Sequence, residues 1–236
     1  MGGAGVKRRV MLSWSSGKDS AWALHLLRQR EDVELVALLT TFNHAMDRVA
    51  MHAVRRGLAR AQAERAGLPL WEVELPWPCS NAQYEALMAA ACERALAAGV
   101  EQVAFGDLYL RDVREYRERQ LAGTGLEPIF PLWELPTRAL AEAMIEAGVR
   151  ARLTCVDPRK LGREFAGREF DRELLAALPA EVDPCGENGE FHSFVYASPA
   201  FSSAIAVRSG EVVERDGFVF ADVLPTDALP TDAPSA

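Results

Sequence analysis

Arg8-Arg9-Val10-Met11-Leu12-Ser13-Trp14-Ser15-Ser16-Gly17-Lys18-Asp19-Ser20 is the stretch whose reading decides the fold. Arg8 to Trp14 reads as a short strand, and Asp19 to Arg30 as the helix that follows. Between them lies a loop of small polar residues. Such residues let backbone N–H groups approach an anion, and the start of the helix adds a positive dipole end. The loop is not a Walker A motif, because GxxxxGK[ST] is absent and an acid follows Lys18. Ser15, Ser16 and Ser20 offer hydroxyls and Lys18 a point charge. Asp19 beside a polyphosphate would be repelled unless it caps the helix or holds a cation, and it can do either. A surface turn that merely caps a helix is the plainer alternative.

Outward from this stretch, strand and helix alternate. Val33 to Thr41 is a nearly continuous apolar run, as in a strand buried on both faces. Arg48 to Ala66 reads as a long Ala/Arg-rich helix stopped by Gly67 and Pro69. Leu70 to Leu75 is a third strand, Asn81 to Ala98 a third helix, and Val100 to Phe105 a fourth strand. The alternation predicts an α/β fold with a parallel, helix-covered, Rossmann-like sheet. After Gly106 the rhythm breaks at Gly123, Gly125, Pro128, Pro131 and Pro136. Helices at Thr137–Gly148 and Phe170–Leu178 follow, with strands near Arg150–Val156, Phe194–Tyr196, Ile205–Arg208 and Gly217–Phe220. The expected organisation is a flexible stretch at 1–7, a nucleotide-binding half at 8–124, a smaller mixed α/β half at 125–222 and a disordered tail at 223–236. The tail rests on Leu224-Pro225-Thr226-Asp227-Ala228, which repeats at once as Leu229-Pro230-Thr231-Asp232-Ala233.

The 236 residues carry 26 Lys+Arg against 34 Asp+Glu, a formal net charge of −8, which argues against a general nucleic-acid binder. No apolar run approaches the ~20 residues of a membrane-spanning helix. Four cysteines without a CxxC pair read as reduced thiols of a cytoplasmic protein, and no Cys/His quartet has zinc-finger spacing.

The loop Ser15-Ser16-Gly17-Lys18-Asp19-Ser20 resembles the SGGxDS loop of the PP-loop ATP pyrophosphatases, the adenine nucleotide α-hydrolases. Three further stretches narrow the resemblance. One is Phe105-Gly106-Asp107-Leu108 with Asp112-Val113-Arg114-Glu115-Tyr116-Arg117. A second is Leu161-Gly162 with Gly167-Arg168 and Asp171. The third is Asp183-Pro184-Cys185-Gly186-Glu187-Asn188-Gly189-Glu190-Phe191-His192-Ser193. Together they resemble the diphthine–ammonia ligase family, from about residue 8 to about residue 222. The last stretch is the most specific, with Ser193 where threonine is usual. In the Ser15–Ser20 loop, Ser16 stands where glycine is common, which fits if the backbone there keeps φ < 0.

The resemblance implies an ATP- and Mg²⁺-dependent ligase that adenylates a carboxylate, releases pyrophosphate, and lets ammonia displace AMP to give an amide. The acceptor would be the modified histidine of elongation factor 2 if the source makes diphthamide, and another carboxylate if it does not. It implies a nucleotide site of Ser13, Ser15, Ser16, Gly17, Lys18, Asp19, Ser20, Thr40, Asn43 and Gly106, with Asp19 as the metal ligand. Thr40, Thr41 and Asn43 lie at a strand end, where open α/β sheets bind ligands. Chemistry falls to Lys18, Asp19, Asp107, Glu187, Glu190 and His192. Asp107 can meet Mg²⁺, ribose or ammonium, or simply cap a helix. Glu187 and Glu190 can hold or deprotonate ammonium, with His192 as an alternative base. His52, read as lying on the Arg48 helix, gains a substrate-side role only through the resemblance. At least one of Arg114 and Arg117 is suited to a phosphate or carboxylate. Cys185 reads as packing. An ATP/AMP sensor without turnover and a PP-loop tRNA-modifying enzyme are the competing readings, and assembly as a homodimer stays open.

Overall fold

Alternation along β1 (Arg8–Ser13) explains why the chain builds around its first strand. Val10 and Leu12 enter one apolar cluster while Met11, pointing the other way, enters a second. In β2 (Val33–Asn43), Leu38 joins the first cluster, and Ala37 and Leu39 the second. Strands buried on both faces need helices on both faces. The first face is covered by α1 (Lys18–Arg28) and α2 (Arg56–Ala66), through residues such as Leu24, Leu27, Ala63 and Ala66. The second is covered by α3 (Asn81–Ala97) and α4 (Arg111–Leu121), through Ala91, Ala95 and Leu121. The computed structural model describes residues 6–50 and 52–226.

A two-residue strand, β3 (Arg48–Val49), pairs antiparallel with Phe42 and Asn43 at the end of β2. β4 (Leu70–Leu75), β5 (Gln102–Ala104) and β6 (Glu127–Ile129) complete the sheet. Its parallel strands run in the order β4-β2-β1-β5-β6. The order reverses between β1 and β5, so the crevice beyond their carboxyl ends is where such a sheet takes a ligand. β6 was not anticipated: at three residues it is too short for periodicity, and it carries the parallel sheet on to Ile129.

The second half contains α5 (Thr137–Glu146), β7 (Arg150–Val156), α6 (Arg172–Ala177), β8 (Phe191–Ala197), β9 (Val207–Arg215) and β10 (Phe218–Pro225). Its antiparallel sheet has the order β8-β7-β10-β9. The apolar core runs through both halves: Leu24 and Leu27 of α1 share a cluster with Leu153, Val156, Phe191 and Val195. Leu58 and Ala59 of α2 pack with Phe194, Ile205 and Val223. α1 and α2 are therefore the layer between the two sheets. β10 continues into the stretch read as a tail, and Val223 is buried. The repeat beyond Thr226 and the first five residues lie outside the described residues.

The long helix expected over Arg48 to Ala66 is corrected. Only Arg56–Ala66 is helical. Arg48 and Val49 pair with β2, Ala53 takes φ 55°, and Val49 N–H donates to Val54 O. Both Arg48 and Arg55 bond Asp222 of β10, at 2.9 Å and 2.5 Å. Those pairings override a composition that favours helix. His52 consequently sits in a loop.

Candidate active site

Ser13 to Ser20 forms a tight turn into α1. Ser15 Oγ accepts the Gly17 N–H at 3.3 Å and lies 3.2 Å from Ser20 Oγ, while Ser20 Oγ donates to Gly17 O at 3.0 Å. These bonds hold the hydroxyls beside the helix start. Gly106 presses against this turn: a Cβ there would lie 3.1 Å from Ser20 N and from the Asp19 carbonyl carbon. Glycine just beyond β5 thus lets the chain pack directly against the start of α1.

The turn is closed from the other half of the chain. Val195 N–H donates to Ser16 O at 3.0 Å, and Lys18 N–H donates to Ser193 Oγ at 3.2 Å. The second bond explains why a hydroxyl suffices at position 193. Gln62, fully buried on α2, accepts from Trp14 Nε1 at 3.0 Å and donates to Ser16 O and Val195 O at 3.0 Å and 2.6 Å. Sequence reasoning passed over Gln62; its signal was a polar residue on the buried side of an Ala-rich helix.

Ser16 departs from expectation. Its φ is 70°, so it occupies the left-handed region, and its buried Oγ has no hydrogen-bond partner. The condition φ < 0 is not met, because the turn must hand its carbonyl to Val195 and Gln62. Left-handed backbone costs a non-glycine residue roughly 1–2 kcal/mol. An orphaned hydroxyl adds to that cost. Ser16→Gly is therefore expected to raise stability by about 1 kcal/mol after the added chain entropy of glycine, read as a higher denaturation midpoint.

Lys18 and Asp19 point toward the second half. Lys18 is 2% exposed; its Nζ donates to Asp19 Oδ2 and Oδ1 at 2.9 Å and 3.1 Å, and to the Cys185 carbonyl. It also lies over the Phe191 and Phe170 rings, 5.3 Å and 5.6 Å from their centroids. Burial works to lower its pKa, but Asp19, Cys185 and Glu187 outweigh burial and raise it, so Lys18 stays charged. The Cys185 thiol is pushed up by burial and its Sγ donates to Thr137 O at 3.4 Å, in keeping with packing.

The loop from Asp183 to Glu190 folds on itself. Asp183 Oδ1 accepts from Cys185 N–H at 2.8 Å and Glu187 N–H at 3.3 Å. Gly186 has φ 71°, and a Cβ there would fall 2.8 Å from Phe191 O, so the turn requires glycine. Glu190 is spent largely on this loop: Oε1 accepts from Asp183 N–H and Asn188 Nδ2, both at 3.0 Å, while buried Oε2 is unpartnered. Glu187 instead reaches the first half, where its Oε1 accepts from Leu108 N–H at 2.8 Å and Tyr109 N–H at 3.4 Å. Burial, reinforced by Asp19 and Asp107 and opposed by those two N–H donors, raises its pKa to about 7. Asp107 pairs with Arg117 at 3.4 Å, and burial raises its pKa against the pull of that guanidinium.

A cavity of about 730 Å³ opens beside this cluster. Ser13, Ser15, Thr41, Asn43, Arg117 and His192 are among its walls. Thr40 is buried and donates to Trp14 O at 2.8 Å; strand alternation gives the cavity Thr41 instead. His52 and His192 also line it, their rings 4.4 Å apart. Burial and Lys18 lower His192 to about 4, and burial, His192 and Lys18 hold His52 well below the usual imidazole range. Both rings are neutral at pH 7 and suited to accept a hydrogen bond, while burial and Lys18 disfavour their protonation, against the expectation of His192 as a base.

Among the described residues, no group of three or more His, Cys, Asp or Glu side chains is arranged to hold a metal ion. A Mg²⁺ shared with phosphates needs only one or two carboxylates. Asp19 fits that lesser demand: its side chain is 27% exposed, and a carboxylate bonded to one ammonium keeps lone pairs free. No helix among the described residues is long and apolar enough to cross a membrane.

Residues 8–128 match the family model of the diphthamide synthase N-terminal domain, and residues 136–222 that of its C-terminal domain. A diphthine–ammonia ligase of Danio rerio is 26% identical over 238 residues, covering 91% of this chain and 92% of that protein. The Homo sapiens diphthine–ammonia ligase is 32% identical over 132 residues, 52% of this chain and 48% of its own length. That of Schizosaccharomyces pombe is 29% identical over 120 residues, 49% of this chain, and the match spans only 20% of the yeast protein. With both domain models matched in order, the chain belongs to the diphthine–ammonia ligase family of the PP-loop superfamily.

Proposed function

We propose that the protein is an ATP-dependent amide ligase. The carrying observation is that the Ser13–Ser20 turn and the Asp183–Ser193 loop form one site, joined by Lys18 and Ser193. A carboxylate oxygen of the acceptor attacks the α-phosphorus of ATP, the bond to the β-phosphate oxygen breaks, and pyrophosphate leaves. Ammonia then attacks the acyl carbon, AMP leaves, and the nitrogen gives up a proton. Catalysis of both steps is chiefly positioning and electrostatics.

Ser13, Ser15, Ser16, Gly17 and Ser20 surround the phosphates, with Asn43 and Gly106 toward the nucleoside; Thr40 supports the turn through Trp14. Asp19 would hold Mg²⁺ together with phosphate oxygens, and the ion would neutralise charge on the leaving pyrophosphate. Asp107, Asp19 and Glu187 form an acidic cluster that attracts ammonium, and Glu187, poised near neutrality, takes its proton. His192, held neutral, is suited to accept a hydrogen bond in the site, and Glu190 shapes the loop. On this reading residues 8–124 serve ATP and 125–222 the acceptor. The relatives' name points to diphthine as that acceptor, carried on elongation factor 2 where the source makes diphthamide.

Incubation with ATP, ammonium and diphthine-bearing elongation factor 2 should yield AMP and pyrophosphate. A panel of other carboxylates serves if that acceptor is inert. ADP and phosphate as sole products would refute the reading, and binding without turnover would favour a nucleotide sensor.

A further inference from the structure

The loop's own cation does not face the cavity. Lys18 Nζ is buried against the Cys185 carbonyl, Asp19 and two phenylalanine rings of the second half. Lys18 is absent from the cavity walls, which among the described residues carry three guanidinium groups, those of Arg48, Arg117 and Arg215. Arg48 is committed to Ala53 O at 2.7 Å and Asp222 at 2.9 Å. Arg215 lies at the β9–β10 turn, beside Asp216 and over the Phe220 ring. Arg117 stands instead on α4, directly after the strand that adjoins β1 at the ligand crevice.

Three observations make Arg117 a prepared anion site. Its Nε donates to Asp107 Oδ2 at 3.4 Å, and among the described residues Nη1 and Nη2 bond no other group. Its plane rests over the Phe105 ring, 5.1 Å from the centroid, which limits the directions the fork can take. Asp107 follows Gly106, whose backbone is pressed against the start of α1, so the pair is tied to the phosphate turn. Arg114, on the same helix, is excluded by its surroundings. It bonds Glu118 at 2.8 Å, lies over the Phe130 and Trp133 rings, and does not reach the cavity.

We infer that Arg117, and not Lys18, is the cation that meets the phosphates of the nucleotide, while Lys18 is a positioning residue that ties the acceptor loop to the phosphate turn. The inference rests on the ATP-using reading above. A guanidinium suits this place because its fork matches two phosphate oxygens and it sheds water more readily than an ammonium.

Titration calorimetry with ATP and with adenosine, on wild type, Arg117→Ala, Arg117→Lys and Lys18→Met, tests it. Arg117→Ala should weaken ATP about tenfold or more, the worth of one charge-assisted hydrogen bond, and leave adenosine within about twofold. Arg117→Lys should recover part of the loss. Unchanged ATP affinity in Arg117→Ala overturns the inference, and so does equal weakening of ATP and adenosine, which marks a structural role. A folded Lys18→Met that loses ATP selectively while Arg117→Ala does not would return the role to Lys18. Wild type that binds no ATP would instead sink the ATP-using reading itself, and this inference with it.

Discussion

Asp19→Asn is expected to fold and to lose ATP cleavage by about two to three orders of magnitude, the scale on which a charge-stabilising group contributes to a transition state. The asparagine keeps the shape and one acceptor for Lys18 but removes the carboxylate proposed for Mg²⁺. Asp19→Ala should be worse for a second reason. It leaves the Lys18 ammonium buried with only the Cys185 carbonyl and two ring faces, and stripping one member from a buried ion pair costs about 3–5 kcal/mol. Pyrophosphate release measured beside a denaturation midpoint separates the two effects. Full activity in a folded Asp19→Asn protein would refute the assignment of the turn.

Glu187→Gln is the second large effect. The neutral isostere can still accept from Leu108 and Tyr109 N–H but cannot take a proton, so amide formation should fall about a hundredfold or more. The wild-type rate should rise with pH through a limb near pH 7, where Glu187 loses its proton, and the variant should lack that limb. Stability carries the opposite sign. An unfolded chain releases this proton near the ordinary carboxyl value of 4.5, while the folded chain holds it to about 7. Between those values the folded state binds more protons, so the contribution of Glu187 to stability falls as pH rises. The variant should therefore lose less stability than wild type between pH 5 and about pH 8. Equal pH–rate profiles for the two proteins would remove Glu187 from proton transfer.

Much of the first half was legible because its strands are buried on both faces. Val33 to Thr41 announces itself through a nearly continuous apolar run, Leu70 to Leu75 through apolar residues alternating with Glu72 and Glu74, and the helices through their stop signals. The Arg48–Ala66 stretch misled because its alanines and arginines favour helix locally, whereas Asp222, far along the chain, holds Arg48 and Arg55 in a non-helical loop. β6 is legible only through its neighbour β5. Thr40 and Thr41 are equivalent by composition, and only the pleat decides that Thr41 faces the cavity.

By itself the sequence determined the parallel sheet, the tight polar turn between strand and helix, and the family, because these depend on local periodicity and on the order of short motifs. Only the tertiary structure decided where the charges go. Lys18 belongs to the turn by position, yet the Asp183–Ser193 loop folds over it and takes its ammonium on the Cys185 carbonyl beside Asp19. Arg117, far from the turn in sequence, reaches the crevice through α4 and β5. A long cationic side chain goes where carbonyls, carboxylates and ring faces compensate its desolvation, and the assembled fold alone brings those partners together.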